Sequence, residues 1–128
     1  MKSINGMECG AIKKDVLKEL EQSVNDMIQN VIAGTIDPDK VITFLKLEQQ
    51  TAEGLKQAAK EARAEITYIM GNSEKEYYNT LCRQWEKTKK QPPELEKIYN
   101  REKELVESES NCGEYIQQIE SVIYAINK

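Results

Sequence analysis

Histidine is absent from this 128-residue chain, and other chemistry-bearing residues are scarce: three cysteines, three prolines, one tryptophan and one phenylalanine. Without histidine there is no Cys2His2 zinc site and no pair of Glu-x-x-His motifs for a di-iron bundle, and a cysteine nucleophile lacks its usual base. Cys9, Cys82 and Cys112 are odd in number, far apart and in no CxxC pair, so neither a disulfide scaffold nor structural zinc is expected, and a reducing cytoplasm suits them. No glycine-rich phosphate loop, G-x-S-x-G elbow or dinucleotide fingerprint occurs. The opening residues, MKSINGMECGAI, contain no apolar stretch of signal-peptide length, and no segment nears the roughly 20 continuous apolar residues of a membrane span. These absences predict a non-enzymatic cytoplasmic protein with no cofactor, no metal and no membrane segment.

Charged residues make up 31% of the chain and apolar ones 39%, a balance that favours helices and is too apolar for disorder. The length suits a single domain, 1–128, in which residues 1–12 are expected to be flexible. Net charge is −4, so nothing global attracts polyanions, and a nucleic-acid partner is not favoured. The charge is nonetheless segregated. Residues 72–93 carry five basic and three acidic side chains, and residues 94–128 carry four basic and eight acidic.

The hydrophobic spacing predicts an all-α, up-and-down helical bundle. Apolar residues from Val16 to Ile32 recur at steps of three and four, giving a helix over 13–33. Gly34 then stands where a left-handed C-cap is wanted. Asp37 and Pro38 follow as the N-cap and first residue of a second helix, 38–70. That helix carries a narrow heptad seam: Val41, Leu45, Glu48, Ala52, Leu55, Ala59, Ala62, Ile66 and Ile69. Ser73 and Glu76 read as a capping box opening a shorter helix, 74–90, which would bury Tyr77, Tyr78, Leu81, Cys82 and Trp85 before Pro92 and Pro93 end it. A last seam runs Leu95, Ile98, Glu102, Leu105, Glu109, Cys112, Ile116, Ile119, Ile123 and Ile126. Because its phase does not slip at Gly113, one helix over 94–127 is preferred to two. The two long heptad helices would pair antiparallel, flanked by the two shorter ones, with Phe44 and Leu47 left on an outer face where a second subunit could meet them.

Candidate chemistry is thin. Counting a calcium loop from Asp37 places Asp39 at position three and Glu48 at position twelve, but Val41 and Ile42 occupy positions five and six, where an oxygen ligand and a glycine belong. Glu48, Glu102 and Glu109 lie on the seams, where a carboxylate cluster competes with the simpler reading of polar residues that set register. The stretch YYNTLCRQWEKTKKQ mixes aromatics with cations. Tyr77, Tyr78, Arg83, Trp85 and Lys87 are candidate contacts for a partner or a nucleotide, against the alternative that the aromatic stripe is core. In the acidic last segment Glu104, Glu107 and Glu109 are candidates for mimicking nucleic-acid charge.

In VIAGTIDPDKVITFLKLEQQTAEGLKQAAKEARAEI, Gly34, Ile36, Asp37, Pro38, Leu45, Lys46, Leu47 and Glu48 form a Gly-x-Ile-Asp-Pro turn before a Leu-Lys-rich helix. This stretch resembles small helical proteins encoded by phages and prophages, although it lacks the spacer of their Leu-Lys-x-Leu-Glu motif. The resemblance implies a phage setting and transfers no functional residues. The expected function is therefore binding and occlusion of a host or phage protein, as in an inhibitor of bacterial defence. The alternatives are an oligomeric module that sequesters a nucleotide signal and a structural coiled-coil subunit.

Overall fold

A computed structural model of the chain describes residues 3–71 and 75–127, with side chains at 3–66 and 79–127. The described residues form four helices, α1 (Lys14–Ile32), α2 (Pro38–Gly71), α3 (Lys75–Thr88) and α4 (Pro93–Asn127). The proposed capping box at Ser73 lies outside the described residues.

The α1–α2 junction follows from its residues. Gly34 has φ +76°, its N–H bonds to the carbonyl of Val31 at 3.1 Å, and the N–H of Thr35 reaches the carbonyl of Asn30 at 3.0 Å. This is a Schellman ending, for which the residue in the left-handed region must be glycine or take strain. Three residues later the Asp37 carboxylate accepts the N–H of Asp39 at 3.0 Å, so the residue that could have opened a metal loop is a helix cap. At the other end of the chain, α3 stops with Lys89 at φ +60°, and Pro92 and Pro93 keep the helix from resuming before α4.

Helices α2 and α4, each roughly 50 Å long, pair antiparallel. Gln49 bonds to Glu120 and Arg63 pairs with Glu109, so the register runs down one helix as it climbs the other. Gly113 causes no break: α4 is one helix across it. A Cβ at Gly113 would lie 3.6 Å from Lys56 Nζ, an ordinary contact. Gly113→Ala is therefore expected to raise the unfolding free energy by about 0.5–1 kcal/mol, read from urea melts, by removing backbone entropy from the unfolded chain.

Helix α1 lies parallel to α4, tied by Lys13 to Glu104 at 3.7 Å and by Gln118 to Asn25 at 3.2 Å. It buries Leu17, Leu20, Val24 and Met27. The main core gathers these with Val41, Leu45 and Ala52 of α2 and Cys112, Tyr115, Ile119 and Val122 of α4. It therefore fills one half of the long hairpin. Helix α3 meets α2 and α4 at the other half, where Ala59, Leu81, Leu95 and Leu105 are buried outside that cluster.

The α4 seam differs from its expected face in one respect. Leu105, Cys112 and Ile119 are buried as expected, but Ser108, Tyr115 and Val122 complete the buried row, while Glu109, Ile116 and Ile123 are half-buried. A helix with neighbours on two flanks buries a stripe wider than one heptad seam. The flank at Glu109, Gly113 and Glu120 meets α2, and the flank at Glu104, Asn111 and Gln118 meets α1 and the segment before it.

That segment is the largest departure from expectation. Instead of trailing away, residues 3–12 pack across the main core, with Ile4 and Ile12 both essentially inaccessible to solvent. Gly10 has φ +90° and is buried, so the segment turns where it passes close to α4 at Arg101 and Leu105. The Asn111 side-chain amide donates to the carbonyl of Ile12 at 2.9 Å and pins the end of the segment to α4. Two buried isoleucines, each contributing about 1.5–3 kcal/mol, hold the segment that was expected to be flexible against the core.

Candidate functional site

Glu48, the one charged residue on the α2 seam, is buried with 3% of its surface exposed. Its Oε1 accepts the N–H of Ile4 at 3.2 Å and the Tyr115 hydroxyl at 3.1 Å, and its Oε2 accepts the Ser3 hydroxyl at 3.0 Å. The carboxylate thus joins the leading segment, α2 and α4 through neutral donors. None of the ion pairs among the described residues involves it. A buried charge is tolerable only with its hydrogen-bonding capacity largely met, and three donors meet most of it here. Above it lies a hollow of about 300 Å3 lined by Ser3, Asn5, Phe44, Leu47, Glu48 and Thr51. Leu47 is 59% exposed, on the outer face where the sequence had put it, whereas Phe44, expected there too, is half-buried and packs against the main core.

Tyr115, 1% exposed, holds its proton far above the usual tyrosine range, first because it is buried and then because it faces and donates to the Glu48 carboxylate. The folded chain keeps this proton after the unfolded chain has begun to lose it near pH 10. The stability it contributes is complete below about pH 10 and is lost as pH rises further, at up to about 1.4 kcal/mol per pH unit. In urea melts at pH 10 and 11, Tyr115→Phe is expected to lose less stability over that interval than the parent. Equal losses would mean the hydroxyl is not held in this way.

The carboxylates once considered together do not converge. Glu48 and Glu109 sit against opposite halves of α2, since Glu109 pairs with Arg63, fifteen positions beyond Glu48 and roughly 22 Å along the helix. Among the described residues no three of histidine, cysteine, aspartate and glutamate are grouped to hold a metal ion. The acidic candidates on α4 are also largely engaged: Glu104 pairs with Lys13 and Arg101, Glu109 with Arg63, and Glu107 is half-buried. Two of the three candidates thus already have cation partners within the fold.

Helix α3 presents the remaining candidates. Trp85, expected in the core, is 40% exposed; Leu81 alone of that stripe is seen to be buried, and Cys82 is half-buried. The side chains of Tyr77 and Tyr78 lie outside the described residues. Arg83 and Lys87, one turn apart, open with Thr80 and Gln84 onto one shallow hollow, whereas Trp85 opens with Cys82 and Lys89 onto another. Glu86 borders both. At 100° per residue, Leu81 turned inward puts Trp85 beside the buried line and Arg83 and Lys87 well round the helix from it. The structure therefore does not bring tryptophan and both cations around one small ligand. It spreads them across an exposed helix.

Among the described residues no helix is long and apolar enough to cross a membrane. Comparison with known proteins adds no further guide: no protein-family model, curated protein or solved structure matches the chain.

Proposed function

We propose that this chain is a non-enzymatic helical binding protein that occludes a partner protein through the exposed face of α3. The observation that carries this reading is Trp85, the single tryptophan, held 40% exposed on a helix that also exposes Arg83 and Lys87, with Lys89 and Lys90 exposed just beyond its end. Tryptophan and arginine are the residue types that most often dominate protein interfaces, and the surrounding cations suit a partner whose contact surface is acidic around an apolar pocket. The main core on the far half of the hairpin would serve as the rigid base of that face. The likeness of the Gly34–Pro38 turn to phage and prophage proteins supplies the setting: an accessory protein in the cytoplasm of a bacterial host, acting on a host protein such as a defence component. A nucleotide-sequestering role is less well supported, because Arg83 and Lys87 do not share a hollow with Trp85.

The test is capture from bacterial lysate on immobilised wild-type chain, Trp85→Ala and Arg83→Glu/Lys87→Glu, each first shown by circular dichroism to keep its helices. A protein retained by the wild type is expected to bind Trp85→Ala at least about 30-fold more weakly, the effect of losing a hot spot of about 2 kcal/mol. Retention of the same proteins by both variants would refute the α3 face. In parallel, Trp85 fluorescence is expected not to respond to a nucleotide panel, and a saturable response would favour the sequestering role.

A further inference from the structure

We propose that the hollow over Glu48 binds a primary alkylammonium group. At its floor is a carboxylate with 3% exposure whose three hydrogen bonds all come from neutral donors, so its charge is stabilised but not balanced. A carboxylate offers about four acceptor positions, and the three in use leave one on Oε2, which so far receives only the Ser3 hydroxyl. A ligand cation reaching this atom supplies the missing countercharge in surroundings where low dielectric strengthens the attraction.

The walls select the kind of cation. Thr51 and Asn5 both line the hollow, and because the Thr51 hydroxyl already donates to the carbonyl of Leu47 its remaining capacity is that of an acceptor. An ammonium has three N–H donors, and Glu48, Thr51 and Asn5 are three oxygen-bearing partners around one small volume. Phe44 and Leu47 form the apolar part of the lining, suited to an alkyl chain, with an aromatic side chain of the type that attracts organic cations. A bare metal ion is a poor fit, since no second carboxylate, histidine or cysteine lines the hollow. At about 300 Å3 the space lies at the small end of ligand sites. The shared chemistry, an ammonium on an alkyl chain, is that of a free polyamine and of a lysine side chain on another protein.

The experiment is isothermal titration of the full chain with n-butylammonium chloride, with n-butanol and sodium chloride as matched controls. Saturable binding of butylammonium is expected, with n-butanol at least about ten-fold weaker and Glu48→Gln losing the response. Because Glu48→Gln also disturbs the anchoring of residues 3–5, Thr51→Lys is the second variant. Three residues on from Glu48 and half-buried, it sets a tethered ammonium beside the carboxylate. It is expected to weaken butylammonium binding by about ten-fold or more with its helical circular dichroism unchanged. Titrating 1,4-diaminobutane and Nα-acetyl-lysine methylamide assigns the source: tighter binding of the diamine points to a free polyamine, tighter binding of the blocked lysine to a protein side chain. The proposal is overturned if wild-type chain shows no saturable response, if butanol binds as well as butylammonium, or if folded Thr51→Lys binds butylammonium like the wild type.

Discussion

Replacing Ile12 with alanine is expected to lower the unfolding free energy by about 3 kcal/mol, within the ~2–5 kcal/mol range for deleting a buried isoleucine side chain. Ile12 is 1% exposed, packs within the main core and ends the segment that the Asn111 amide holds to α4. The measurement is a shift of the urea midpoint at unchanged slope. Ile4→Ala should act similarly, since Ile4 is fully buried at the other end of the same segment. The double variant is expected to cost less than the sum of the two. Once residues 3–12 let go of α2 and α4, the contacts that the second substitution would remove are already gone, and the loss is capped at the docking free energy of the segment. Costs that add in full would show that the two isoleucines dock independently.

Glu48→Ala is expected to cost a comparable amount, about 3 kcal/mol. It strands the Tyr115 hydroxyl and the Ile4 N–H in the core without an acceptor, and each such orphan costs about 1–3 kcal/mol. The pair with Tyr115→Phe makes the argument specific. With the hydroxyl already removed, Glu48→Ala leaves one orphan fewer, so the double variant should be about 1 kcal/mol or more better than additive. An additive cycle, or a Glu48→Ala cost below about 1 kcal/mol, would mean that the carboxylate does not organise this junction. On total stabilities of about 5–15 kcal/mol, either substitution leaves little margin at physiological temperature.

The helices were legible because their signals are local. The steps of three and four, the Gly34 ending, the Asp37–Pro38 start and the Pro92–Pro93 break each act within a few residues, and both ends of α1 and α4 and the start of α2 fall within one residue of their expected places, while α3 stops at Thr88 rather than position 90. The α2 seam was equally readable, with Val41, Leu45, Ala52 and Ala59 buried along it. The candidate site was only half legible. Glu48 was visible as the one break in that seam, but a charged residue on a seam has two fates, a solvated end or a satisfied core position. Choosing between them needs its donors, and Ser3, Ile4 and Tyr115 are 45, 44 and 67 residues away in sequence. The INGMECGAI stretch did hold a hint, since Ile4 and Ile12 bracket two glycines with positive φ, the pattern of a segment bent to lie against something apolar.

Trp85 failed in the opposite direction. Its spacing from Leu81 placed it on an apolar stripe, yet helical spacing says only that residues share a face, not that a neighbour covers it. Along α4 a neighbour is present on both flanks, so Tyr115 and Ser108 are buried although the narrow seam passed them by. At α3 the main core has already been left behind, and Trp85 stays open to solvent. Periodicity and capping chemistry thus settled which residues are helical and where each helix stops, because those free energies are set by neighbours in the chain. Which faces are covered, where a lone carboxylate finds its donors, and that Trp85 stays exposed were settled only when the helices and residues 3–12 came together. Burial is a property of what packs opposite, and nothing within a single helix specifies it.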